Sequence, residues 1–243
     1  MVTSPHHLAG EGGLRVLREG GNAIEATVAM AAALAVVYPH MTSIGGDGFW
    51  LVAAPDKDPQ AIEACGAAAA NASPELYAKA GHKSIPWRGR LAANTVAGTI
   101  SGWGAALEHS KKLGGKLPPS RLVEDAVLHA GSGFAVTGSQ AELAATKLGE
   151  LEDAPNFAAT FLIDGRCPRE GEVMKLPALG QTLRSIGRNG TDDFYRGALA
   201  KTIAAKLAVI GSPVSADDLV RHRAGAPDPL SVPVAGATLF NFP

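Results

Sequence analysis

The chain has 243 residues, a length that allows a substantial core. Its formal net charge of −1 argues against a broad basic surface for nucleic acid or anionic lipid. Its two cysteines, Cys65 and Cys167, form no CxxC pair, which argues against a cysteine zinc site, and its longest apolar run, residues 26–38, is too short to span a membrane. With no signal-peptide pattern at the N-terminus, these features predict a soluble, cytoplasmic, single-domain protein over residues 1–243 that needs no cofactor or metal.

Two helices are predicted at the N-terminus. Apolar residues between positions 8 and 17 indicate the first helix, and Gly20-Gly21 ends it, because glycine accepts the backbone angles of a helix end. Asn22 and Glu25 have the spacing of a capping box and predict the start of the second helix. That helix covers residues 23–37 and is apolar on nearly every face, which is typical of a buried helix.

A glycine-rich turn, HMTSIGGDGFWLVAA, follows this helix at residues 40–54. Gly45, Gly46 and Gly48 surround Asp47 and lead directly into a strand-like apolar run. A dinucleotide-binding loop would instead follow a strand and open a helix, so nucleotide binding is disfavoured. Two interpretations remain: a tight turn that permits close backbone packing, and a backbone segment that passes close to a reaction site.

The rest of the chain alternates helices with loops between two hairpins. Residues 49–65 predict the first hairpin and residues 231–242 the second. Ser73 and Pro74 predict a helix start, and further helices are predicted over residues 99–112, 120–130, 138–147, 178–187, 195–209 and 215–222. Because strands lie near the two ends, the pattern indicates an α+β fold with helices layered on a mainly antiparallel sheet. The last hairpin needs further strands from elsewhere, since an isolated hairpin is unstable.

Few single residues point to chemistry by themselves. The histidines include His6-His7 and His40 but no metal-binding HxxxH or HExxH pattern, and a structural role is the simpler interpretation of each. Cys65 ends a predicted strand, where a small buried hydrophobe is favoured over a nucleophile. Four aspartates at probable helix starts are best explained as capping residues: Asp192, Asp193, Asp217 and Asp218.

Six stretches, in order, resemble the γ-glutamyltransferase family of N-terminal nucleophile hydrolases. They are residues 4–29, residues 40–52, NTVAGTISGWGAAL at 94–107, GEVMKLPALGQTL at 171–183, DDFYRGALAKTIAAKL at 192–207 and SADDLVRHRA at 215–224. The resemblance implies a four-layer αββα sandwich, incomplete in this chain, and a precursor that cuts itself into two subunits. It implies that the nucleophile is the N-terminal Thr of the small subunit. This chain would then be a large-subunit portion with no catalytic residue of its own, and the small subunit would be its partner.

One departure from the family bears on the substrate. Cys65 and Gly66 stand where the family places an Arg and a Glu, and that Arg holds the α-carboxylate of a γ-glutamyl group. Loss of such a charge-assisted fork removes about 1.5–3 kcal/mol of recognition. Cys65 and Gly66 are therefore expected to line a pocket for a small acyl amide such as oxamate. The alternatives are a γ-glutamyl transferase in which Arg88 or Arg90 replaces the lost cation, and a non-catalytic scaffold of the same fold.

Overall fold

The computed structural model describes all 243 residues and contains twelve helices and six strands. The helices are α1 (His7–Arg18), α2 (Ala23–Val37), α3 (Pro74–Lys79), α4 (Thr99–Lys112), α5 (Pro119–Leu122), α6 (Glu124–Ser132), α7 (Gly138–Leu151), α8 (Phe157–Phe161), α9 (Pro177–Asn189), α10 (Asp193–Arg196), α11 (Ala198–Ile210) and α12 (Ala216–Arg221). The strands are β1 (Gly48–Val52), β2 (Gln60–Ala64), β3 (Phe134–Ala135), β4 (Val173–Met174), β5 (Leu230–Val234) and β6 (Ala237–Asn241). No helix combines the length and the apolar character that a membrane span requires.

Helix α2 forms the centre of the helical core. It is buried at ten of its fifteen positions and contacts α1, α4, α5 and α6. The predicted capping box is present: Asn22 accepts hydrogen bonds from the backbone amides of Ile24 and Glu25, and the Glu25 side chain accepts one from the Asn22 backbone amide. The buried Glu25 carboxylate also accepts the Leu117 amide at 2.7 Å, so the cap joins this helix to the segment that precedes α5.

The β1–β2 hairpin lies against α4. The two strands are antiparallel, with Gly48 opposite Ala64 and Val52 opposite Gln60. The second strand is also bridged to the chain after α12, since the backbones of Glu63 and Gly225 exchange two hydrogen bonds. The backbone at Gly225 is thereby fixed along the edge of β2 that is not paired with β1.

The strands form three separate two-stranded antiparallel sheets, so the antiparallel pairing is confirmed while the expected single sheet is not formed within this chain. Strands β3 and β4, two residues each, are too short to give a clear alternation pattern. The β5–β6 hairpin has the predicted position, and all ten of its residues are exposed. Apolar side chains on it, including Val232 and Leu239, face solvent.

Most predicted helices are confirmed, with two corrections. The helix expected over residues 195–209 is two helices, α10 and α11, separated at Gly197, where a Cβ atom would lie 2.0 Å from Asp193 Oδ1. The helix expected over residues 120–130 is divided at Val123 into α5 and α6. Ser73 caps α3 as expected, and Asp218 completes a capping box with Ser215 at α12.

Candidate functional site

The glycine-rich turn is bound to the start of α4. The Gly46 carbonyl accepts hydrogen bonds from the backbone amides of Gly98 and Thr99, both at 2.9 Å. The Thr99 hydroxyl lies 2.8 Å from the same carbonyl and 3.0 Å from that of Asp47. Because several bonds converge on one carbonyl, the backbone of the turn has a fixed position relative to the helix.

The glycines of this turn are not required by packing within the chain, which corrects the close-packing interpretation. Neither Gly45, Gly46 nor Gly48 has a positive φ angle. A Cβ atom at any of them would lie no closer than 3.5 Å to a neighbouring atom, which is ordinary van der Waals contact. The open side of the turn therefore leaves room for a group that does not belong to these residues, and the second interpretation, an approach to a reaction site, stays open.

Close backbone packing occurs instead around the Cys65 loop. A Cβ atom on Gly66 would lie 1.6 Å from the Val96 carbonyl oxygen, and one on Gly98 would lie 2.1 Å from the Ala64 carbonyl oxygen. The end of β2 and the segment before α4 are thus in direct backbone contact. Sequence reasoning identified Gly66 from the family pattern, but the steric need for glycine there becomes visible only in three dimensions.

Asp47, Cys65 and Gly66 lie together at this point. The Asp47 carboxylate accepts the Gly66 backbone amide at 3.0 Å. Cys65 is an exposed free cysteine, which corrects the expectation that it is a buried hydrophobe. Desolvation, followed by the negative charges of Asp47 and Glu63, raises the pKa of its thiol. The side chain is therefore a neutral thiol at physiological pH, which is the unreactive form.

The two arginines considered as replacements for the lost cation are engaged elsewhere. Arg90 donates to the Gly211 carbonyl at the end of α11. Arg88 pairs with Glu150 of α7 at 3.4 Å. Neither guanidinium forms a hydrogen bond or an ion pair with the Cys65 loop. The charged neighbours of Cys65 are instead the carboxylates of Asp47 and Glu63.

A serine and a histidine that sequence reasoning missed are paired at the first turn of α4. Ser101 Oγ lies 2.9 Å from His222 Nε2, although 121 residues separate them in the chain. Tyr195 lies beside both: its ring centroid is 5.1 Å from that of His222, and its hydroxyl accepts the Ser101 amide at 2.8 Å. These side chains and Arg196 line a cavity of about 230 Å³.

The hydrogen bonds of this pair differ from those of a serine activated by histidine. Ser101 Oγ donates to the Gly98 carbonyl at 2.7 Å, and in this arrangement His222 Nε2, 2.9 Å away, is the donor toward Ser101. A general base would instead have to accept the serine proton. Burial, reinforced by the charge of Arg196, lowers the pKa of His222, so the imidazole is neutral near pH 7. The pair therefore positions the start of α4, to which the glycine-rich turn is bound.

Tyr195 has the same positioning role. Its hydroxyl donates to the Ala97 carbonyl at 2.8 Å, and burial raises the pKa of Tyr195 to about 12. A phenol of this kind stays protonated and continues to donate over the physiological range. No local motif singles out Tyr195, because its partners lie almost a hundred residues earlier in the chain.

Comparison with known proteins gives a consistent set of relatives. The gamma-glutamyltranspeptidase family model matches residues 9–243. The oxamate amidohydrolase proenzyme of Klebsiella pneumoniae is 51% identical over 243 residues, covering 100% of this chain and 46% of that protein. The glutathione hydrolase-like YwrD proenzyme of Bacillus subtilis is 36% identical, covering 100% of this chain and 45% of that protein. The chain thus spans about half the length of the curated relatives it matches.

Solved structures give the same result for the fold. A gamma-glutamyltranspeptidase from Pseudomonas nitroreducens, complexed with L-DON, superposes with a TM-score of 0.88 at 31% identity, covering 100% of this chain and 70% of that one. The Helicobacter pylori gamma-glutamyltranspeptidase gives 0.90 at 29% identity, covering 99% and 69%. These matches confirm the α+β fold of the N-terminal nucleophile type. The chain belongs to the gamma-glutamyltranspeptidase family.

Proposed function

We propose that this chain is a single-domain portion of the large subunit of an amidohydrolase that cleaves a small acyl amide such as oxamate. The observation that carries the proposal is the 51% identity with an oxamate amidohydrolase proenzyme along the whole chain. The surroundings of Cys65 agree with it, because no guanidinium lies there to hold the α-carboxylate of a γ-glutamyl group. A cytoplasmic location, as inferred from the sequence, stays a prediction.

The proposed reaction uses a nucleophile that this chain does not supply. The hydroxyl of an N-terminal Thr, on a partner small subunit produced by self-cleavage, attacks the amide carbonyl while the α-amine of that Thr accepts the hydroxyl proton. The intermediate then releases ammonia and leaves an acyl-enzyme. Water hydrolyses this ester, and oxamate plus water gives oxalate plus ammonia.

The contribution of this chain is to shape the acyl pocket. The open glycine-rich turn lets a substrate or the partner backbone approach closely, and Cys65 and Gly66 form an adjacent wall. The carboxylates of Asp47 and Glu63 would repel a carboxylate placed against Cys65. We therefore propose that the neutral amide end of the substrate, which carries N–H donors, faces this wall.

A second candidate is hydrolysis or transfer of γ-glutamyl groups. It is favoured by the glutathione hydrolase proenzyme of Escherichia coli, which is 30% identical along the whole chain. A non-catalytic scaffold is the third candidate. The exposed β5–β6 hairpin is compatible with all three, since it offers unpaired strand edges and apolar side chains to a partner.

One experiment separates these candidates. Protein expressed from the complete reading frame is analysed by intact mass, and ammonia release from oxamate is compared with cleavage of a γ-glutamyl anilide. Two fragments together with ammonia from oxamate support the amidohydrolase. Two fragments with anilide cleavage alone favour the γ-glutamyl enzyme, and one uncut chain that turns over neither compound favours the scaffold.

A further inference from the structure

Two large apolar side chains far from the candidate active site in sequence are almost fully exposed. Apart from the terminal Met1, Trp87 and Val209 are the most exposed large apolar residues, at 89% and 87%. Trp87 lies in a loop, residues 82–90, without helix or strand, and Ile85 of the same loop is 57% exposed. Single exposed apolar residues are common on protein surfaces, whereas a group of them indicates an interaction site.

The loop and the end of α11 are in contact. Arg90 donates a hydrogen bond to the carbonyl of Gly211, the residue after the helix, at 3.2 Å. Arg90 also lines a cavity of about 290 Å³ together with Lys206 of α11. Lys206 and Val209 are three positions apart and therefore lie on the same face of that helix. The exposed apolar residues of the loop and of the helix thus belong to one surface.

This surface is positively charged. The chain has 23 acidic residues, yet none occurs in residues 76–107 or 194–216, the stretches that contain the loop and α11. Arg88 is the one cation of the loop that is paired with a carboxylate, Glu150. Four exposed cations form no ion pair: Lys83, Arg90, Lys201 and Lys206. Together with Ile85, Trp87 and Val209 they are termed the Trp87 surface.

We propose that the Trp87 surface binds the headgroup region of a membrane that contains anionic lipid. The indole ring of Trp87 enters the boundary between headgroups and acyl chains, where tryptophan is enriched in membrane proteins. Ile85 and Val209 add apolar contact beside it, and the four cations attract the lipid phosphates and carboxylates. The attachment is peripheral, and because the net charge of the chain is −1, it depends on this local surface.

Two other classes of partner fit this surface less well. A single-stranded nucleic acid would use Trp87 for base stacking, but Ile85 and Val209 present no aromatic face to a base. A protein that binds by strand addition needs a strand edge, and the loop has none. A layer of lipid headgroups adapts to a protruding side chain, and its negative charge complements the cations.

The test is binding of protein from the complete reading frame to large unilamellar vesicles, measured by cosedimentation. Vesicles of phosphatidylcholine and phosphatidylserine in equal amounts are compared with vesicles of phosphatidylcholine alone. We expect partitioning into the anionic vesicles to be about tenfold stronger or more, because each cation near the surface contributes. High salt should remove this preference. Protein that does not bind the anionic vesicles at low salt overturns the proposal.

Three variants locate the contact. Trp87→Ser should weaken binding to the anionic vesicles about tenfold, and Lys206→Gln should weaken it about fivefold. Lys57→Gln, at an exposed position between β1 and β2, is the matched control for loss of one positive charge and should leave binding unchanged. Because Trp87 and Lys206 are exposed, both variants should keep the thermal stability of the wild type.

A spectroscopic measurement separates insertion of Trp87 from adhesion by charge alone. Brominated phosphatidylcholine in the anionic vesicles should quench the tryptophan emission of the wild type more than that of Trp87→Phe. Equal quenching of the two proteins overturns the proposal, and so does vesicle binding that neither Trp87→Ser nor Lys206→Gln weakens. Binding of a single-stranded oligonucleotide without binding of vesicles also overturns it. Because oxamate hydrolysis is assayed separately, failure here leaves the proposed function untouched.

Discussion

The Asp47 carboxylate accepts the backbone amide of Gly66 at 3.0 Å and so joins the glycine-rich turn to the loop at the end of β2. The same loop lies in backbone contact with the segment before α4. Thr99, the first residue of α4, donates a hydrogen bond to the turn. Turn, loop and helix start therefore form one unit, and a change in any of them should alter the other two.

The first prediction concerns the charge and the hydrogen bond of Asp47. Asp47→Ala removes the acceptor of the Gly66 amide and should lower the free energy of unfolding by about 1 kcal/mol. Asp47→Asn keeps an acceptor oxygen and should retain most of that stability. Urea denaturation of both variants measures the difference. Equal losses in the free energy of unfolding would show that the hydrogen bond to Gly66 does not contribute to stability.

The second prediction concerns the steric need for glycine at position 66. Gly66→Ala places a Cβ atom 1.6 Å from the Val96 carbonyl oxygen, so the backbone must move, and we expect a loss of about 3 kcal/mol. Gly10→Ala is the matched control, because no atom lies within 4 Å of that Cβ. In the interior of α1 it should stabilise the chain by about 0.5–1 kcal/mol. Unfolding curves of the two variants that shift in the same direction would contradict this prediction.

The third prediction separates positioning from catalysis at Ser101. Because its proton is bound to the Gly98 carbonyl, Ser101→Ala should retain amide hydrolysis within about tenfold in protein from the complete reading frame. Loss of a true nucleophile lowers kcat by about 10³-fold or more. A kcat loss of that size, with unchanged thermal stability, would make Ser101 the nucleophile and refute the hydrogen-bond assignment.

The fourth prediction is a dependence of stability on pH. Burial lowers the pKa of four histidines below the usual 6.5, namely His6, His40, His129 and His222. The unfolded chain then binds more protons than the folded one below about pH 6.5, so stability falls as the pH drops through that value. Above it, both states are neutral and this contribution is constant.

A variant tests the source of that dependence. His6 Nδ1 accepts the Leu8 amide as the cap of α1, and protonation at that nitrogen removes the acceptor. His6→Asn keeps a capping oxygen without a titrating group. Its free energy of unfolding should decline less steeply than that of the wild type between about pH 6.5 and 5. Asp218 acts in a separate range, because its pKa is lowered to about 2 and its contribution is lost only below about pH 4.

The fifth prediction concerns substrate preference. In the complete enzyme, Cys65→Arg should raise kcat/KM for a γ-glutamyl anilide relative to oxamate by about tenfold, because the guanidinium can pair with an α-carboxylate. Cys65→Gln, of intermediate size and no charge, is the control and should produce no such gain. Asp47 and Glu63 lie beside position 65 and compete for the new cation, so Cys65→Arg with Asp47→Asn should increase the preference further. If neither arginine variant shows this gain, the assignment of Cys65 to the substrate pocket is wrong.

The amino-acid sequence alone determined the local elements. Asn22 with Glu25, and Ser73 with Pro74, mark helix starts because the atoms that satisfy a helix terminus lie within three residues of it. The two hairpins followed from alternation and turn residues, and the family followed from six short stretches in order. Each of these signals depends on neighbours along the chain.

The tertiary structure decided which distant residues meet. Ser101 and His222 are 121 residues apart, Tyr195 binds carbonyls nearly a hundred residues earlier, and Gly66 is compressed by Val96. No local pattern encodes such contacts, because they depend on how the helices and hairpins pack. For the same physical reason, the role assigned to the glycines at residues 45–48 changed: their conformation is ordinary, and the space they leave open is defined only by the surrounding fold.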